Sequence, residues 1–171
     1  SNRTVEFMTE AEERARYKRI VGAADALFRA NGFRGVTMEA VAREAAVAKA
    51  TLYSYFRDKD SLFVAVSSRM AERLRRAFAE AIGASGKTLD QRVADAIVGR
   101  YRAGWEYQRS PHGEELVSHK HQLAADHFTQ AIAAMVAQLE TVLREDQVLA
   151  HDAPRLARAV FYGSAQLAAR S

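Results

Sequence analysis

Within seven residues, Lys49 to Tyr55, the chain reads K-A-T-L-Y-S-Y: one ammonium, two aliphatic hydroxyls and two phenols. No acid, imidazole or thiol is interleaved with them, so the stretch is equipped to donate hydrogen bonds and to carry positive charge. At about 100° per residue on a helix, Leu52 and Phe56 point one way while Ala50 and Ser54 point the other, flanked by Thr51 and Tyr53. A small, hydroxyl-bearing face of this kind can come close to base edges, touch thymine methyls and donate to phosphates. Lys49, in the first turn, has the reach for a guanine edge or a phosphate.

Other chemistry-bearing groups are scattered. His112, His119, His121 and His127 stand near Glu114, Glu115 and Asp126, but no two of the histidines have the four-residue spacing that brings two imidazoles onto one helical face. No metal site and no cofactor are expected. Glu114 and Glu115 are adjacent and diverge on a helix, and no nucleophile has a base beside it, so no enzyme is expected. Cysteine is absent, which removes disulfides, thiolate metal sites and thiol catalysis.

Periodicity supplies the elements that would carry the K-A-T-L-Y-S-Y face. Tyr17, Ile20, Val21, Ala24, Leu27 and Phe28 recur at helical spacing and predict a first helix over about Glu10 to Asn31, stopped by Asn31-Gly32. Thr37 is placed to cap a short second helix, about Met38 to Ala45, with Val41, Ala42 and Ala45 on its apolar face. A tight turn over Ala46 to Ala48 leads to a third helix, about Lys49 to Phe56. Asp58 then caps a long fourth helix ending near Ile82, a rod of roughly 35 Å at 1.5 Å per residue. Leu89 to about Gln108, Glu114 to about Glu145 with a break near Ala125, and about Pro154 to Arg170 complete an all-α chain. Two short helices joined by a tight turn and braced by a longer one make a helix-turn-helix pattern, whose third helix can enter the major groove.

Charge points the same way. From Arg14 to Lys59 ten lysines and arginines face four acids, a surplus of six, whereas the whole chain carries +4. The remainder is therefore slightly acidic, and the basic third is suited to a polyanion. No run of apolar residues is long enough for a membrane span and no secretory leader is expected, so a cytoplasmic protein without a membrane partner is expected.

The segment TMEAVAREAAVAKATLYSYFRDKDSLFVAV, Thr37 to Val66, resembles the DNA-binding signature of TetR-type transcriptional regulators. Thr37, Thr51, Leu52, Tyr53, Tyr55, Phe56, Lys59, Leu62 and Phe63 match it, as do Leu27-Phe28 and Gly32-Phe33 upstream. Two positions depart: Ala46 stands where the family usually has a turn glycine, and Ala48 where it usually has a serine cap. The resemblance implies phosphate contacts for Thr37, Tyr53 and Lys59, and groove-facing places for Ala48, Lys49, Ala50, Thr51, Ser54 and Tyr55. It implies a head over residues 10–58 and, over 59–171, a helical domain that binds a small-molecule effector and dimerises. Tyr101, Trp105, His119, Phe128, Met135 and Tyr162 are candidate lining residues for that effector. The expected function is a ligand-responsive regulator, a repressor on a palindromic double-stranded operator, acting as a homodimer. The competing expectation is a helical ligand-binding or scaffolding protein without DNA binding.

Overall fold

The computed structural model describes residues 8–168. Eight helices are found among them: α1 Glu10–Asn31, α2 Met38–Glu44, α3 Lys49–Tyr55, α4 Lys59–Ile82, α5 Leu89–Gln108, α6 Gly113–Leu123, α7 Ala125–Arg144 and α8 Ala153–Ala168. No helix among the described residues is long and apolar enough to cross a membrane. The chain divides into two compact units. The first runs to Val66 and includes Ser110–Leu123; the second comprises Ser67–Arg109 and the chain from Ala124 onward. The boundary expected at residues 58 and 59 is where α4 begins, and the contacts draw the first two turns of α4 and all of α6 into the first unit.

Local chemistry explains where the helices of the first unit start and stop. Thr9 and Glu12 form a reciprocal capping box: Glu12 N–H donates to Thr9 Oγ1 at 3.2 Å, and Thr9 N–H donates to Glu12 Oε2 at 2.8 Å. The same carboxylate accepts from the Thr9 backbone and hydroxyl, which holds it below the usual glutamate range. Ala40 N–H donates to Thr37 Oγ1 at 3.2 Å, giving α2 its expected cap. At the far end of α2 the Ala46 N–H reaches Arg43 O at 3.1 Å and the Val47 N–H reaches Ala42 O at 3.0 Å. This crossed pair is a Schellman motif, and it requires a left-handed residue at position 46. Ala46 supplies it at φ 50°, the only non-glycine with positive φ among the described residues. Asp58 and Ser61 cap α4 reciprocally: Ser61 N–H donates to Asp58 Oδ1 at 2.8 Å and Asp58 N–H to Ser61 Oγ at 3.2 Å.

Burial then welds these helices together. Ile20, Val21, Ala24 and Phe28 of α1 meet Val41 and Ala42 of α2, Leu52 of α3 and Leu62, Phe63 and Val66 of α4 in one buried core. Tyr17, on the expected inward stripe of α1, is 41 % exposed and lies at the core margin, its ring 5.6 Å from that of Phe56.

The second unit has its own core. Ala71, Phe78 and Ile82 of α4, Ala96 of α5, Met135, Leu139 and Leu143 of α7 and Phe161 of α8 are buried in one cluster. The α5 stripe of Leu89, Val93, Ala96 and Ile97 packs against it. Arg100 continues that stripe, with its guanidinium 4.0 Å over the Phe161 ring and its Nη1 buried with no hydrogen-bond partner among the described residues. Ala77, one residue before the buried Phe78 of α4, is exposed.

Because an L-residue at a left-handed turn is strained by roughly 1 kcal/mol, Ala46→Gly should stabilise the protein by about that amount in urea unfolding. An unchanged or lower midpoint would show that the turn holds no such strain.

Candidate nucleic-acid interface

The face of α3 turned from the core carries Lys49, Ala50, Tyr53 and Ser54, all exposed, with exposed Ala48 just ahead of the helix. Leu52 and Phe56 are buried beneath them, at 0 % and 5 % exposure. The expected division between reading face and core face is therefore present. Thr51 and Tyr55 are half-buried. The Tyr55 ring lies 6.4 Å from both Tyr17 and Phe56, so this phenol lies at the margin of the core beside α1.

The reading face is held in a defined state. Lys49 Nζ is paired with Glu39 of α2 and lies 5.8 Å from the Tyr53 ring. The Lys49 hydrogen bond draws the Glu39 carboxyl below its usual range, and the Glu39 hydrogen bond raises the lysine. Both side chains are more than half exposed, so the pair is weak and open to exchange with another anion. Ser54 Oγ donates to Thr51 O at 2.7 Å, which leaves its lone pairs outward. Ala48 offers α3 no side-chain cap. Periodicity did not reveal Glu39 as part of this surface, because its position on α2 is that of an ordinary solvated residue. Its pairing with Lys49 comes from the turn between the helices.

Behind the reading face, the link from Gly32 to Val36 sets how α2 leaves α1. Lys59 Nζ donates to Phe33 O at 2.8 Å and Val36 O at 3.0 Å, and sits 4.5 Å over the Phe33 ring. Two of the three ammonium donors are thus engaged inside the unit. The Phe33 ring is stacked at 5.7 Å on Phe28 and at 4.2 Å on His119 of α6, and meets Phe63 edge-on. Glu115 of α6 accepts the Arg34 N–H at 2.9 Å. Gly32 has φ 72°, and a Cβ there would collide with Glu115 Oε2 and stand 2.9 Å from His112 Nδ1. Glycine suits this position by its positive φ, and any side chain there would displace the Glu115 carboxylate and the His112 ring. The regulatory half expected over residues 59–171 contains α6 entirely and leaves this grip out; the only signal for it is the polar set Glu114, Glu115, Ser118, His119, Lys120 and His121.

The six expected effector-lining residues do not gather at one place. His119 is in the first unit, against Phe33. Met135 is buried in the second core and Phe128 packs against it, while Tyr101 is half-buried and Trp105 and Tyr162 are more than half exposed. A cleft of about 260 Å³ does lie between α4 and α7, bordered by other residues, Arg75 and His127 among them.

Comparison with known proteins follows the same division. The sequence pattern of bacterial regulatory proteins of the tetR family matches residues 20–66. That segment has the helix-turn-helix head of TetR-type regulators. No curated protein sequence matches the chain. Among solved structures, a TetR-family transcription regulator from Marinobacter aquaeolei is 17 % identical with a TM-score of 0.62, covering 91 % of this chain and 88 % of its own. The TetR-family repressor AlkX from a Dietzia species is 22 % identical with a TM-score of 0.59, over 86 % of this chain and 80 % of its own. NemR from E. coli, in its reduced form, is 16 % identical with a TM-score of 0.59, over 92 % and 89 %. At these identities the likeness is one of fold: the chain has the all-helical fold of TetR-type transcription regulators, with the helix-turn-helix head at its N-terminal end.

Removing the Lys59 ammonium strands two backbone carbonyls. Lys59→Met should therefore destabilise the protein by about 1.5–3 kcal/mol in chemical unfolding, the range for losing a charged donor. Arg57→Met, at an 89 % exposed side chain, should cost under about 0.5 kcal/mol. Equal effects would mean that the grip on the link contributes nothing.

Proposed function

We propose that the protein is a ligand-responsive transcriptional regulator, a repressor that binds a palindromic operator as a homodimer and leaves it when a small molecule occupies the second unit. The observation that carries this reading is the exposed α3 face of Lys49, Ala50, Tyr53 and Ser54 on a TetR-type head whose segment Arg14 to Lys59 has a surplus of six positive charges. An α-helix with small outward side chains fits the major groove, and a two-fold dimer would present two such helices about 34 Å apart, one turn of DNA.

Each contact has a physical assignment. Thr37 and Tyr53 donate to phosphates, and Lys59 adds the one N–H that its two carbonyl bonds leave over. Ala48, Lys49, Ala50, Thr51, Ser54 and Tyr55 border the groove, with Lys49 exchanging Glu39 for DNA. Glu39 then acts as a brake: it holds the cation in the free protein and repels phosphates near it. Release by an effector requires a difference in its affinity for the bound and free states. The covalent route for that difference is short, since α6 lies in sequence between α5 and α7 of the second unit yet grips the link of the head through Glu115 and His119.

The test is fluorescence anisotropy with duplexes from upstream of the protein's own gene. Glu39→Gln should tighten binding to every duplex and steepen the dependence of log K on log salt by roughly one further phosphate contact, about 0.9. Lys49→Ala and Ser54→Ala should change the ranking among operator variants. Equal losses on all sequences, or no saturable binding by the wild type at about 0.1 M salt, where specific complexes form, would contradict the reading.

A further inference from the structure

The cleft between α4 and α7 lies wholly inside the second unit. Ser68, Glu72 and Arg75 of α4 and His127 and Gln130 of α7 line it, with the buried Ala71 and Ala131 as its apolar wall. Its volume of about 260 Å³ is just under the ~300–1,000 Å³ typical of pockets for drug-sized ligands, so it suits a smaller molecule.

Charge is unequally distributed there. Glu72 takes both edges of one guanidinium fork: Arg75 Nε donates to Oε2 and Arg75 Nη2 to Oε1, each at 2.8 Å. Arg76 Nε donates to the same Oε1 at 2.6 Å. These hydrogen bonds, Arg75 first and Arg76 next, pull the Glu72 carboxyl down to about 2, so it is ionised throughout the physiological range. One carboxylate therefore answers two guanidiniums, and the cluster keeps a net positive charge. Guanidinium has five donors, and the bonds to Glu72 use two of those on Arg75. The second fork edge, Nη1 with the remaining Nη2 N–H, makes no bond to protein among the described residues. Glu72 fixes the plane of the guanidinium, so the second edge is oriented before any ligand arrives, which lowers the cost of binding. A planar fork of this kind matches a carboxylate with two parallel hydrogen bonds.

We propose that the α4–α7 cleft binds a small organic carboxylate, with the second fork edge of Arg75 on the carboxylate, Glu72 as the residue that positions Arg75, and His127 and Gln130 as donors to the rest of the ligand. This identifies the chemical class of the effector, and it rests on the reading that the second unit takes the effector. Two alanines in the lining favour a ligand with a carbon skeleton over an inorganic anion, which would leave that wall facing water.

The experiment is isothermal titration calorimetry of the whole chain with succinate, benzoate and inorganic phosphate, without DNA. Succinate or benzoate should saturate at one site per chain, and phosphate should bind at least about tenfold more weakly, a difference of about 1.4 kcal/mol. Arg75→Met should abolish the binding, and Arg75→Lys, which keeps the charge but cannot fork, should weaken it by about tenfold or more. Glu72→Gln decides the positioning role: simple electrostatics predicts tighter anion binding when a negative charge is removed, whereas a loosened guanidinium predicts weaker binding. Circular dichroism melts check that each variant is folded. No saturable binding by either carboxylate, phosphate binding as tight as both, an unaffected Arg75→Lys or a tighter Glu72→Gln would each overturn the proposal. The same ligands are then added to the protein–DNA complex. Saturable binding with unchanged DNA affinity would retain the carboxylate site and refute its role as the effector site. Loss of binding in the calorimeter would refute the site and leave DNA recognition standing.

Discussion

The position of Phe33 governs the geometry of the head. Its ring is stacked on Phe28 and His119, met edge-on by Phe63 and covered by the Lys59 ammonium. Its carbonyl receives one of the Lys59 hydrogen bonds. Four helices therefore converge on a single residue of a five-residue link: α1 through Phe28, α4 through Phe63 and Lys59, α6 through His119, and α2 by direct continuation. A link between two helices is ordinarily a place of freedom. Here the aromatic stack and the two carbonyl bonds fix the direction in which α2 departs, and the Schellman turn at Ala46 then fixes α3 relative to α2. The orientation of the reading face follows from these two constraints.

The reading face itself depends on little structure of its own. Its helix has seven residues, too few to persist without tertiary support, and it lacks a side-chain cap. Leu52 and Phe56 hold it to the core, and Arg19 Nε steadies the preceding turn through Ala45 O at 2.9 Å. What remains outward is small and polar, with one cation held loosely by Glu39. That combination suits a surface that must exchange its own hydrogen bonds for those of a polyanion: the scaffold is fixed, while the groups that make contact are only weakly committed to the protein.

Much of the first unit was legible in the sequence because its signals are local. Asn31-Gly32, Thr37 and Asp58 stop or start helices through bonds to neighbours three or four residues away, and the structure has those bonds. Apolar spacing likewise located α5 at its observed limits, Leu89–Gln108. The parts that escaped depend on contacts between residues distant in sequence. Glu115 meets the Arg34 amide from 81 residues away, and nothing in the pattern of α6 marks which of its residues will face a partner. Trp105 and Tyr162 were natural candidates for a pocket because large aromatics tend to be enclosed, yet each stands more than half exposed. The α4–α7 cleft was invisible for the opposite reason. Glu72, Arg75 and Arg76 read as an ordinary charged helix surface, and only their meeting with His127 and Gln130 makes them a site.

The central claim is that α3 and the start of α2 form the DNA-contacting surface. Amide chemical shifts of the isotopically labelled chain, recorded while a duplex from upstream of its gene is added, test it most directly. The account predicts the largest changes at Thr37 to Ala40 and at Ala48 to Ser54, with Leu139 and Phe161 in the second core nearly unmoved. Changes centred on other surfaces, with Lys49 and Tyr53 unaffected at saturating DNA, would contradict it.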